Sequence, residues 1–96
     1  MKEGFDSPRD RQMPYSVYLI ININHGKCIS YVGYTKNLIK RIKEHNSSKG
    51  AKFTRGRKWK LAYSKTYMSK SYAMSEEYKL KKNIKLRNRI KLKFIK

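Results

Sequence analysis

A glutamate, an arginine, a histidine and a run of cations are the residues of this chain best placed to do chemistry. Ala73, Glu77, Leu80 and Ile84 follow the i, i+4, i+7, i+11 spacing of one helical stripe. That spacing sets Glu77 between apolar neighbours and turns it toward the body of the domain, while Glu76 points about 100° away. An inward carboxylate is costly unless paired or bound to a metal. Glu77 therefore reads either as a metal ligand or as the partner of an inward arginine such as Arg41. Arg41 and His45 stand one helical turn apart and share a face. A guanidinium there can fork onto a phosphate oxygen, which a lysine cannot do. An imidazole with an ordinary pKa of ~6.5 can shuttle a proton or orient a water; a bystander on a solvated helix face is the other reading of His45. Lys49, Lys52, Arg55, Arg57 and Lys58 fill one loop and suit contacts to backbone phosphates, which position a substrate without reading its sequence.

Charge narrows the partner. The 96 residues carry 25 lysines and arginines against 6 acids, a formal net charge of +19. Such an excess repels itself, so a polyanionic partner is its natural explanation. Nucleic acid leads, although an anionic membrane surface or an acidic protein also fits charge alone. Glu3, Asp6 and Asp10 lie near the N-terminus, leaving Glu44, Glu76 and Glu77 for everything after. A carboxylate-rich two-metal clamp lacks the ligands it needs. A divalent ion would be held by one carboxylate and several waters, as Mg²⁺ often is. Cys28 is the single cysteine, which excludes an intramolecular disulfide and a zinc framework. With no apolar signal-like segment and no run long enough to span a bilayer, an intracellular chain is expected, cytoplasmic or nucleoid-associated in a bacterium.

The elements that must hold these residues follow from pattern. Residues 1–12 are polar and aperiodic and read as a flexible, dispensable extension ahead of a domain over 13–84. Tyr15 to Ile23 is aromatic and β-branched, a strand. Asn24 to Lys27 supplies a turn, which holds His25 outside the candidate set, and Cys28 to Tyr34 completes a hairpin. Gly33 within that second strand predicts a bulge, or a close approach by backbone or ligand. Thr35 can cap a helix to about Ser47, with Leu38, Ile39 and Ile42 on its inner face. A third strand is expected over Trp59 to Tyr67, then a second helix capped by Ser69 or Ser71. Residues 85–96 form a basic tail of ambiguous period, either a solvated helix end or an arm that tracks nucleic-acid backbone.

The ordered set Ser16-Val17-Tyr18, Tyr31-Val32-Gly33, Thr35, Leu38, Arg41, His45-Asn46 and Glu77-Tyr78 resembles the GIY-YIG nuclease domain. The likeness covers roughly residues 15–82. The stretch HNSSKGAKFTRGRKW makes the chain most similar to the small stand-alone, YhbQ-like branch, and similar also to the catalytic subunit of the branched-DNA resolving nuclease. Serine stands where the first motif has glycine, and valine where the second has isoleucine, but both tyrosines are kept.

The resemblance implies a small α/β fold, a three-stranded and largely antiparallel sheet flanked by helices. It implies a metal-dependent endonuclease that hydrolyses DNA phosphodiesters, selective for DNA structure, in repair or recombination. Tyr18 would be the general base or water-orienting group, and Tyr31 would hydrogen-bond the nucleophile or a phosphate. A half-buried sheet tyrosine is the plainer reading of Tyr31. Arg41 would hold phosphate, with His45 beside it, and Glu77 would anchor one Mg²⁺ or Mn²⁺. Gly33 and Thr35 join the basic loop as expected nucleic-acid contacts. DNA is the expected partner, with RNA left open and no membrane or protein partner indicated. A non-catalytic nucleic-acid-binding module fits the same composition, and it should not need Glu77. A degenerate domain kept for protein assembly leaves the tyrosines, arginine and glutamate unexplained together.

Overall fold

The computed structural model describes residues 14–95; the extension expected over 1–12 lies outside the described residues. In chain order the elements are β1 (Tyr15–Asn24), β2 (Lys27–Thr35), α1 (Leu38–Asn46), a 3-10 turn (Lys52–Thr54), β3 (Lys60–Tyr67), α2 (Lys70–Lys82) and α3 (Ile84–Ile95). The strands make one antiparallel sheet in the order β2-β1-β3. This is the α/β class that the sequence predicts.

β1 is central, and every residue from Ser16 to Asn22 is buried. Side chains alternate between faces along a strand. Val17, Leu19 and Ile21 join Val32, Ala73 and Leu80 in one cluster, while Tyr18 and Ile20 join Trp59 in another. Helix α2 covers the first cluster, and Leu38 and Ile42 of α1 pack against the second. Each fully buried aliphatic side chain contributes about 1.5–3 kcal/mol relative to exposure, so β1 anchors both layers.

Local chemistry accounts for the boundaries. His25 (φ 53°) and Gly26 (φ 77°) are both left-handed, as a two-residue type I′ hairpin turn requires. Asn37, not Thr35, caps α1, its side chain accepting from the Lys40 N–H at 3.1 Å. Thr35 ends β2, and its hydroxyl accepts from the Asn37 N–H at 3.1 Å. Ile39, expected inside, is 73% exposed because the nine-residue helix turns it away from the sheet. Of the two candidate serines, Ser69 caps α2, accepting from the Tyr72 N–H at 3.1 Å.

Two further expectations are corrected. Pairing of β1 with β2 runs unbroken through Gly33, so no bulge lies there; the irregularity falls between β1 and β3, beside Leu19 and Ile20. Helix α2 stops at Asn83, whose side chain accepts from the Leu86 N–H at 3.0 Å and starts α3. Ile84 therefore leaves the α2 stripe and is 61% exposed. Of the stretch read as a basic tail, residues 85–95 are helical, which is one of its two expected readings, and Leu86 and Ile90 pack against the apolar cluster.

Candidate active site

Tyr18 is paired with Gly33 across the β1–β2 ladder, and its ring lies over that glycine. A Cβ at Gly33 would stand 2.5 Å from the tyrosine hydroxyl oxygen and 2.7 Å from Cζ. Gly33 is itself buried, so its place is beneath the ring rather than on a contact surface. Glycine here makes room for Tyr18.

The Tyr18 hydroxyl meets His45 Nε2 at 2.8 Å, and His45 Nδ1 meets Thr54 Oγ1 at 2.8 Å. The Thr54 hydroxyl donates to the Ala51 carbonyl at 2.8 Å. A hydroxyl has one hydrogen to give. With that hydrogen spent on Ala51, the Thr54 oxygen must accept from His45 Nδ1–H. Nε2 then carries the lone pair, and Tyr18 donates to it. The chain has a direction: Tyr18 to His45 to Thr54 to Ala51. Its three side chains are 1%, 0% and 0% exposed.

Helix α1 supplies His45, and the segment after it closes over the ring. A Cβ at Gly50 would approach His45 Nδ1 to 2.5 Å, so this position too is kept bare. The Trp59 indole N–H donates to the Thr54 carbonyl at 2.9 Å. The Asn46 side chain accepts from the Trp59 N–H and donates to the Trp59 carbonyl at 3.1 Å, clamping the loop's far end to α1. Thr54 and Gly50 hold the His45 ring in place, and sequence reasoning misses both. They lie in an aperiodic basic loop, and the proximity of Gly50 and Thr54 to a helical histidine is the signal that could have found them.

Arg41, on the same helix, is partly exposed and pairs with Glu44 at 2.9 Å. Its hydrogen bond to Glu44 chiefly keeps the guanidinium above its ordinary pKa, and the neighbouring Tyr18 hydroxyl adds to that rise. Burial pushes the Tyr18 hydroxyl up to about 12; Arg41 pulls against this rise, while Tyr31 and Glu77 add to it. Burial holds His45 below its ordinary value, and the Arg41 charge pushes the same way. Both ends of the Tyr18–His45 bond are thus neutral near pH 7.

Tyr31 is half-buried, its ring edge-on to His45 at 5.1 Å. The Glu77 side chain is 18% exposed and contacts Lys81 at 3.5 Å rather than Arg41. Glu76 pairs with Lys79 at 3.1 Å, and its charge acts on Tyr67, whereas that of Glu77 acts on Tyr18. The partly exposed Arg41 and Tyr31 lie beside the buried Tyr18–His45 pair, and the charge of Glu77 acts on Tyr18. Thr35 and Arg41 share a polar depression of about 370 Å³ with Lys36 and Lys40. Lys49, Lys52, Arg55, Arg57 and Lys58 are all exposed.

No group of three or more His, Cys, Asp or Glu side chains could hold a metal among the described residues. Glu44 is committed to Arg41. Glu77 is the remaining shielded carboxylate near Tyr18, and it already faces a cation at 3.5 Å. One carboxylate suits a hard, largely hydrated ion such as Mg²⁺ and does not suit zinc.

The family model described as the GIY-YIG catalytic domain matches residues 14–91. This chain belongs to the GIY-YIG family. It is a family of nucleases, acting on nucleic acid. A UPF0213 protein of Bacillus licheniformis is 51% identical over 45 residues, 46% of either chain. Another, from Oceanobacillus iheyensis, is 49% identical over 45 residues, 46% of this chain and 52% of its own. The chain thus spans about half the length of the curated relatives it matches, which are the small stand-alone proteins expected. The solution structure of a UPF0213 protein from Bacillus halodurans is 39% identical and covers 88% of this chain and 86% of that one, with a TM-score of 0.42. The serine in the first GIY-YIG motif leaves the sheet undisturbed, since Ser16 pairs regularly with Thr35 and Thr66. No helix among the described residues is long and apolar enough to cross a membrane.

Proposed function

We propose that this GIY-YIG domain is a metal-dependent endonuclease that hydrolyses DNA phosphodiester bonds. The observation that carries the reading is the directed hydrogen-bond chain from Tyr18 through His45 to Thr54, with the Arg41 charge acting on both Tyr18 and His45. Hydrolysis needs a water deprotonated as it attacks phosphorus, and charge stabilised as the sugar oxygen leaves. A tyrosine with a pKa of about 12 is a poor base if it must first ionise alone. Here its proton has a place to go. As water gives a proton to the Tyr18 oxygen, the hydroxyl proton passes to His45 Nε2, and Thr54 keeps the imidazolium oriented through Nδ1–H. Arg41, whose charge lowers the cost of negative charge on the phenolic oxygen, would offer N–H groups to the phosphate. Tyr31, beside His45, would hydrogen-bond phosphate or nucleophile. Glu77 would hold one Mg²⁺ or Mn²⁺, whose bound charge would offset that developing on phosphate oxygens. The exposed cations of residues 49–58 would hold the flanking backbone, with branched and flapped repair and recombination intermediates the substrates to try first.

The test is cleavage of labelled single-stranded, duplex, flap and branched DNA with Mg²⁺, Mn²⁺ or EDTA. Wild type, Glu77→Ala and Arg41→Ala run together, with binding measured on the same DNAs. Metal-dependent cleavage lost in both variants, with binding kept in Glu77→Ala, is expected. Binding without cleavage by wild type on any substrate, indifferent to Glu77, would replace the nuclease by a binding module.

A further inference from the structure

We propose that Phe53 is a stacking residue for an unpaired nucleobase beside the scissile bond, so that the site takes DNA with at least one unpaired nucleotide there. The proposal rests on the nuclease reading above and names the substrate feature that the same site selects.

Phe53 sits in the 3-10 turn immediately before Thr54, the residue that holds His45. Phe53 is 52% exposed, whereas Trp59 on the same loop is 3% exposed. A phenylalanine that served only packing would turn inward as Trp59 does, since apolar surface left in water contributes nothing to folding. Phe53 instead lies nearly parallel to Tyr31, at 6.1 Å and 20°, with Trp59 behind it at 6.2 Å. Tyr31 in turn stands 5.1 Å from His45, so the exposed ring is one aromatic neighbour from the reacting groups.

Cations flank it. Lys52, Arg55, Arg57 and Lys58 are exposed on the same segment, and the sequence has no acid between Glu44 and Glu76. The Arg57 guanidinium lies over the Phe53 ring, 5.5 Å from its centre, so a base would take its place on the ring while Arg57, on an exposed and acid-free loop, moves onto the adjoining phosphate. An aromatic face among cations matches a nucleotide, which brings a planar base and a phosphate together. Single-stranded nucleic-acid sites combine these parts in the same way. An acidic peptide would satisfy the cations but bring no planar face. A base inside a duplex has both faces covered by its neighbours and must be unpaired or turned out to reach a ring.

The probe is an oligonucleotide with 2-aminopurine at an unpaired position flanking the cut, whose emission falls on stacking. Wild type, Phe53→Leu, Phe53→Ala and Phe53→Trp are compared for quenching and for kcat/KM. Abasic and fully paired versions of the DNA serve as controls. Phe53→Leu keeps apolar volume without an aromatic face, and so remains readable where alanine fails to fold. Wild type and Phe53→Trp should quench and cut. Phe53→Leu should lose the quenching and about 5- to 100-fold in kcat/KM, the usual size of a lost base stack. On the abasic substrate the variants should converge. Equal quenching and equal rates in Phe53→Leu, an equal loss on abasic DNA, or full wild-type activity on paired duplex would each overturn the proposal. Phe53-dependent quenching with no cleavage of any DNA would sink the nuclease reading and leave the stacking site standing. Cleavage indifferent to Phe53 would do the reverse.

Discussion

The two faces of the sheet are built from alternate residues of one strand, yet they solve different problems. Val17, Leu19 and Ile21 present an apolar face to α2 and α3, and that cluster is aliphatic apart from its tyrosine rim. Tyr18, one residue along, opens the other face, where a tyrosine, a histidine and a threonine are buried as completely as any leucine. On the first face area decides, and a methylene more or less is a matter of degree. On the second, each buried polar atom must meet a partner of the right donor or acceptor type or lose about 1–3 kcal/mol. The polar face meets that demand by borrowing from three places: β1 for Tyr18, α1 for His45, and the loop for Thr54. A stable layer thus lies directly behind a reactive one, and single substitutions can address them separately.

The largest separation should come from Tyr18→Phe. The ring still fills the space over Gly33, but the water-to-His45 path loses its middle atom. DNA cleavage should fall by about 10²–10⁴, the usual worth of general acid–base assistance. Thermal unfolding should shift only by what a partnerless His45 Nε2 costs. Cleavage within a few-fold of wild type would place the base elsewhere and undo the contrast between the faces.

Leu80→Ala makes the opposite cut. Leu80 is 5% exposed in the apolar cluster, so truncation should lower unfolding free energy by about 2–5 kcal/mol. Specific activity per folded molecule should stay near wild type in the presence of DNA and metal. An activity loss larger than the folded fraction explains would mean that α2 transmits packing to Glu77, three residues away on the same helix.

A smaller effect is expected from Thr54→Val, which keeps the shape and removes the acceptor for His45 Nδ1–H. Leaving that N–H buried and unpaired should cost about 1–3 kcal/mol of stability. Nitrogen chemical shifts of the imidazole should also change, from a pure Nδ1–H tautomer in wild type toward a mixture. An unchanged tautomer would show that Thr54 does not set the direction of the chain.

The same contrast governs what was legible in the sequence. The apolar face could be read because period-2 alternation in β1 and the Ala73–Glu77–Leu80 stripe report burial directly. Arg41, His45 and Glu77 could be placed because helical spacing carries information across a turn. Its reach ends at the helix ends, which is why Ile84 was misplaced once Asn83 opened a new helix, and why Ile39 was assigned inward on a short one. Thr35 has the residue type of a cap, and the two-residue offset to Asn37 depends on how β2 ends, which the sequence does not show. Thr54, Gly50 and the Asn46–Trp59 clamp were invisible for a different reason. Their contacts are fixed by a loop folding back on α1, and a loop has no period from which to infer a partner. The missing Cβ at Gly33 was noticed, but only the register of β1 on β2 shows that the ring of Tyr18 needs the space.

The finest probe of the polar face is pH, because its two titratable members shift in opposite directions. His45 is held below 6.5 in the fold, first by burial and then by Arg41. Below 6.5 the unfolded chain binds the extra proton and the folded one resists it. Stability should therefore be full above 6.5 and decline as pH falls toward the lowered folded value. Tyr18 is raised from 10.0 to about 12, so its contribution is full below 10 and is lost as pH climbs through that interval. Chemical denaturation across both windows should show a shallow limb at each end, and Tyr18→Phe should shrink the alkaline limb to the part that the raised Tyr67 contributes while leaving the acid limb in place. Activity distinguishes the mechanisms more sharply than stability does. If Tyr18 passes its proton to neutral His45, cleavage should fall on the acid side with a midpoint below 6.5 and run level through neutral pH. If Tyr18 must ionise before reacting, the rate should instead climb tenfold per pH unit toward the raised tyrosine value, and His45 would be reduced to a prop for the ring.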